Sequence, residues 1–97
     1  MNFDPQQVKN FTEDYMRASG KRMASARAAT ALTQAQLAEM SGVTQQMISY
    51  AEAGIRLPSF VVQMKLCAAL RINHADIWPS PDRGLFHRRA VIAEVAA

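Results

Sequence analysis

The sequence predicts an all-α protein. Three observations carry that expectation. Good helix formers, Ala, Leu, Met, Gln and Arg, are abundant in a chain of 97 residues with only four glycines. Most of the chain lacks the period-two alternation of β-branched residues that marks strands. Two segments open on a capping residue followed three positions later by Gln, Asp4 with Gln7 and Thr33 with Gln36, which is the pattern of a capping box.

Ninety-seven residues suffice for one domain with a short appendage at each end and a small core. The net charge of +3 is a mild basic bias, suited to a domain that meets phosphate on one face and shared by many ordinary proteins. The single cysteine, Cys67, excludes an intramolecular disulfide, and between Leu66 and Ala68 it reads as a small buried hydrophobe. No long apolar run would span a bilayer and no secretory leader pattern opens the chain, so a reducing cytoplasm is expected.

Asp4-Pro5-Gln6-Gln7 starts the first helix, with Asp4 as cap and Pro5 at the first helical position. Val8, Phe11, Tyr15 and Ala18 then form an apolar stripe, and Gly20 reads as the stop. The segment is locally acidic, so a packing or dimer-forming role fits it better than phosphate contact. Residues 21–29, KRMASARAA, form the next helix, with Met23, Ala26 and Thr30 along one side. Thr30-Ala31-Leu32 is a short connector.

Thr33 caps TQAQLAEM, in which Leu37 and Met40 point inward and Ala38 permits a close helix crossing. Gly42 accepts a left-handed turn, Val43 plugs the corner, and Thr44 caps TQQMISYAEA. Ile48 and Ala51 face inward, leaving Gln45, Gln46, Ser49, Tyr50 and Ala53 outside. Two helices joined by so short a glycine-containing turn form a helix-turn-helix.

Gly54 ends that helix, and a loop containing Arg56 leads to Pro58-Ser59, where Ser59 caps a helix whose apolar face is Phe60, Met64, Cys67, Ala68 and Leu70. Asn73 caps a short last helix, HADIW, with Asp76 near its positive end and Trp78 in the core. Residues 79–84, PSPDRG, read as a linker. In the tail, LFHRRAVIAEVAA, Leu85, Ile92 and Val95 would share one helical face, and HRRAVIAEV would equally serve as an added strand. The expected division is therefore 1–20 as an N-terminal helical extension, 21–79 as the helix-turn-helix domain, and 80–97 as linker and tail, a candidate dimerisation element.

The second segment of the helix-turn-helix carries the chemistry. An α-helix fits the major groove of B-DNA and brings its N-terminal residues to the base edges. Gln45 and Gln46 stand there, and a glutamine amide matches the donor and acceptor of adenine N6 and N7. Ser49 and Tyr50 lie one turn on. The free N–H groups at the start of the first segment, with the Gln34 amide, suit a backbone phosphate, as does Thr44. Arg56 and Arg22 read either as charge at the phosphate edges or as solvated surface residues.

Residues 21–78 resemble the lambda-repressor/Cro-like helix-turn-helix family, also called XRE. The resemblance runs through LTQAQLAEMSGVTQQMIS, EAGIRLPSF, MKLCAALRI and DIW. The TQQ at the head of the second helix is similar to lambdoid phage repressors in particular. The resemblance implies a five-helix fold for residues 21–78, to which the extra N-terminal helix within residues 1–20, outside the resemblance, is added; it also implies Gln34 on phosphate, and Gln45, Gln46, Ser49 and Tyr50 in the groove. It also implies an ion pair between Arg27 and Glu52. Ser41 stands where the family usually has an aliphatic residue and Ala51 where it usually has a large one. Both thin the packing under the recognition helix, with Met40, Met47 or Met64 available to fill it.

The expected function is thus a sequence-specific, double-stranded DNA-binding transcriptional regulator, a repressor acting as a homodimer on a pseudo-palindromic operator in a bacterial or phage-infected cell. The alternative is an antitoxin whose 1–20 helix or 85–97 tail grips a toxin and which autoregulates its operon. No nucleophile–base grouping or phosphate-cradling loop points to catalysis. His74 and His87 sit in no ligand constellation, so neither a metal nor a cofactor is expected. Arg88-Arg89 reads as a solvated pair, a second DNA contact or a partner contact.

Overall fold

The computed structural model describes residues 4–80. The expected tail readings at Leu85, His87, Arg88, Arg89, Ile92 and Val95 lie outside the described residues. Those described form five helices: α1 (Pro5–Ala29), α2 (Gln34–Ser41), α3 (Gln45–Glu52), α4 (Phe60–Leu70) and α5 (His74–Ile77). Among them there is no strand.

The caps set the helix starts. Asp4 accepts from Gln6 N–H at 2.8 Å, and Asp4 N–H donates to the Gln7 side chain at 3.3 Å. Thr33 and Gln36 exchange the same reciprocal bonds at 3.1 and 2.9 Å. Thr44 and Ser59 accept from Met47 N–H and Val62 N–H. Each satisfies a donor that a helix start leaves without a partner.

Gly20 is not a stop. One 25-residue helix runs through it, so the two helices expected on either side of Gly20 are one. A glycine in a helix interior costs only about 0.5–1 kcal/mol relative to alanine, which tertiary packing overrides. Here the packing is backbone on backbone. A Cβ at Gly20 would collide with the carbonyl oxygens of Ala51 and Glu52, the second at 2.7 Å. The helix ends at Ala29 instead, through a Thr30 cap and Ala31 in the left-handed region (φ 58).

The inward faces also differ from the expected ones. On α1, Val8 and Ala18 are exposed, Phe11 and Tyr15 are half-buried, and Ser19, Gly20 and Met23 are buried. Thr30 is exposed. On α4 the buried positions are Gln63, Leu66, Cys67 and Leu70, while Phe60, Met64 and Ala68 face out. The buried register begins on a polar residue because both ends of the Gln63 amide are engaged: its Nε2 donates to Pro58 O at 2.8 Å and its Oε1 lies 2.6 Å from His74 Nε2. On α2, Leu37 is buried and Met40 is exposed. Among the described residues, no buried side-chain nitrogen or oxygen lacks a hydrogen-bond partner.

The core is one cluster built on Met23, Leu37, Ile48, Leu66, Leu70, Ile77 and Trp78, closed by Val43, Ala51 and Cys67. The α5 end is clasped to α1 by Arg22 Nε to Ile77 O and by Tyr15 Oη to Pro79 O, both 2.8 Å.

Gly20→Ala should destabilise the protein by about 1–3 kcal/mol. That sign is opposite to the gain expected for an ordinary helix-interior glycine, and urea unfolding of the two chains checks it.

Candidate nucleic-acid interface

Helices α2 and α3 are joined by Gly42-Val43-Thr44. Gly42 has φ 74 and nothing lies within 4 Å of its missing Cβ, so this glycine serves the backbone angle rather than a close approach. Val43 is buried beneath the corner, and Ser41 Oγ accepts from Val43 N–H at 3.2 Å. Ser41 thus braces the turn through a hydrogen bond in place of an aliphatic plug.

At about 100° per residue, Gln45, Gln46, Ser49, Tyr50 and Ala53 fall within roughly 140° of arc. All are exposed except Tyr50, which is half-buried. The opposite side is held by Ile48 and Ala51, at 0% and 3% exposure. Neither Met40 nor Met64 fills the space beside Ala51, because both face out. Met47 packs against the core edge, and α1 supplies the rest by its backbone approach at Gly20. Ala51 is small because α1 crosses there.

The outer face is partly ordered by its own contacts. Gln46 Nε2 donates to Tyr50 Oη at 2.9 Å. The Arg56 guanidinium lies 5.8 Å from the Tyr50 ring centroid, a cation–π distance. Ile55 N–H donates to Tyr50 O at 2.9 Å, which folds the loop carrying Arg56 back onto the end of α3. A glutamine beside a tyrosine one helical turn on is the sequence signal for the first contact. The ring–guanidinium contact depends on the loop path and had no such signal.

Beneath this face sits an ion pair. Arg27 Nε and Nη2 donate to the Glu52 carboxylate at 2.7 and 2.8 Å, a bidentate arrangement. Arg27 Nη1 donates to Leu32 O at 2.8 Å, and Gln34 Nε2 donates to Glu52 Oε1 at 3.1 Å. The side chains are 20% and 7% exposed. Burial pushes the Glu52 carboxyl up, but the hydrogen bonds from Arg27 and Gln34 outweigh it and hold the group below its ordinary value. The hydrogen bond to Glu52 raises Arg27 against the opposing effect of burial.

Gln34, expected on phosphate, is thereby drawn into the pair through one donor; its second N–H and its carbonyl are not used in that bond. Arg22, expected at a charged edge, is engaged inside the fold instead, since its guanidinium is taken by Ile77 O and Ser19 Oγ. Arg56 and Thr44 are exposed at the two ends of α3. Among the described residues no group of three or more His, Cys, Asp or Glu could hold a metal, and no helix is long and apolar enough to cross a membrane.

The family model described as helix-turn-helix matches residues 23–77. No curated protein matches the chain. Among solved structures, the restriction-modification controller protein C.AhdI from Aeromonas hydrophila is similar, with 32% identity and a TM-score of 0.62 over 64% of this chain and 94% of that one. The clp gene regulator ClgR from Corynebacterium glutamicum is similar at 28% identity and a TM-score of 0.63, over 84% of this chain and 86% of that one.

Arg27→Met should cost about 3–5 kcal/mol, mostly by stranding the Glu52 charge, and Glu52→Leu added to it should recover much of the loss. The folded-state pKa of Glu52 lies below its unfolded value. Its contribution is therefore complete above about pH 4.3 and is lost as pH falls through the folded value. Glu52→Gln should flatten the acid limb of a stability-versus-pH curve.

Proposed function

The chain belongs to the helix-turn-helix family, of the XRE type, and we propose that within it the protein is a repressor that binds a pseudo-palindromic operator as a homodimer. It is a DNA-binding transcriptional regulator and not an enzyme. The observation that carries the finer reading is the outer face of α3. Four polar side chains, Gln45, Gln46, Ser49 and Tyr50, project from a helix whose other side is locked into the core.

In this reading the start of α3 enters the major groove. The amides of Gln45 and Gln46 meet adenine N6 and N7, each pairing contributing roughly 1–3 kcal/mol of discrimination. Ser49 and Tyr50 read alongside them, and the Gln46–Tyr50 bond holds the amide in place before DNA arrives. Thr44, the free N–H groups at the start of α2 and the remaining Gln34 donor meet phosphates, and Arg56 adds charge at the far edge. One recognition helix reads only a few base pairs. Specificity therefore calls for two copies, with half-sites about 34 Å apart. Similarity to a restriction-modification controller protein and to a clp gene regulator supports a regulatory role.

Selection of bound DNA from a random pool should return a two-fold symmetric motif; a motif without symmetry would remove the dimer. Gln45→Ala with Gln46→Ala should abolish preference for the selected site while the helical content is unchanged. Arg56→Ala should weaken binding to all sequences alike and reduce the salt slope by about one unit, readable by titration at several ionic strengths.

A further inference from the structure

A groove of about 240 Å³ is lined by Phe11, Thr12 and Tyr15 of α1, by Leu57 of the loop before α4, and by Gln63 of α4. None of these side chains is charged, so the described residues offer the groove no anchor for an ionic effector. Its volume falls below the roughly 300–1,000 Å³ usual for small-molecule sites. It is suited to one or two apolar side chains of a peptide segment.

The chain itself delivers such a segment. Tyr15, one wall of the groove, holds Pro79 O through its hydroxyl at 2.8 Å, so the described chain ends at Ser80 beside the opening. The next four residues are Pro81-Asp82-Arg83-Gly84, and Leu85-Phe86 follow. Five residues reach at most roughly 17 Å, ample for a groove whose wall already touches Pro79. Beyond Leu85-Phe86 the sequence stays largely apolar, with Val91, Ile92 and Val95. A tether this short also gives the segment an effective concentration in the millimolar range, well above that of a second copy in dilute solution.

We propose that the segment beginning at Leu85-Phe86 docks in the groove between α1 and the Leu57 loop of its own chain. The groove is then a seat for the tail, and α1 is covered at both the Gly20 crossing and the Phe11–Tyr15 turn. Phe11 and Tyr15 rings, with centroids 6.1 Å apart and tilted by 32°, form the apolar wall. Leu57, which is 45% exposed among the described residues, forms the facing lip.

Limited trypsin digestion of the full chain tests this, because Arg88 and Arg89 are cleavage sites within the tail. Cleavage there should be about tenfold slower in the parent than in Leu57→Asp, whose charge is placed in the groove. Circular dichroism establishes that the variant is folded; should it fail to fold, Thr12→Asp on the opposite wall gives the same comparison. Parent and variant cleaved at equal rates would overturn the proposal. Protection that is constant on serial dilution supports docking within one chain, and protection that weakens on dilution would overturn it in favour of the tail of a second copy. No readout involves DNA, so the outcome is independent of the operator-binding reading.

Discussion

The structure depends on the contact between Arg27 and Glu52. Glu52 ends α3, where the backbone carbonyls already make the surroundings negative, so a largely buried carboxylate there is unfavourable without a cation. Arg27 lies in the last turn of α1, a favourable place for positive charge. Its planar fork meets both carboxylate oxygens and still spares a donor for Leu32 O. One side chain thus ties α1 to α3 and to the connector leading into α2, and Gln34 joins α2 to the same carboxylate. The helix that presents the polar face is oriented by charge as much as by apolar packing.

A steric constraint complements the charged one. Residues 17–20 of α1 lie against residues 51–54, with Gly20 facing the Ala51 and Glu52 carbonyls and Gly54 packed on the Arg17 backbone. At Gly54 the positive φ of 73° and the close approach coincide. Small residues on both sides bring the backbones near enough for the ion pair two turns further along α1. Ala51 is therefore compensated by a neighbouring helix backbone rather than by a methionine side chain. Arg22 and Tyr15 tie the same helix to the end of α5 and the residues after it by holding Ile77 and Pro79.

With these contacts satisfied inside, the outer face of α3 has no structural duty beyond its own local bonds. Gln46, Tyr50 and Arg56 form a connected series of contacts, and Gln45 and Ser49 project beside them. This separation of packing from display is what lets exposed residues change without loss of fold.

The sequence by itself determined the helical class, the α2–turn–α3 unit, its caps, and the inward and outward faces of α3. These depend on spacing within a few residues, where caps, Gly42, Ile48 and the glutamines each have local physical meaning. The charge pairing of Arg27 with Glu52 was legible only through family resemblance, because twenty-five positions separate the partners. Only the tertiary structure decided that α1 is one helix. Gly20 carries the same local signal whether it ends a helix or lets two backbones touch, and only the neighbour at Ala51 distinguishes the two. The same holds for Gln63, a polar residue that opens the buried face of α4 because Pro58 and His74 meet its amide. It holds also for Arg22, whose charge is directed inward by a carbonyl fifty-five residues away. In each case the deciding partner is distant in the chain, and local spacing carries no information about it.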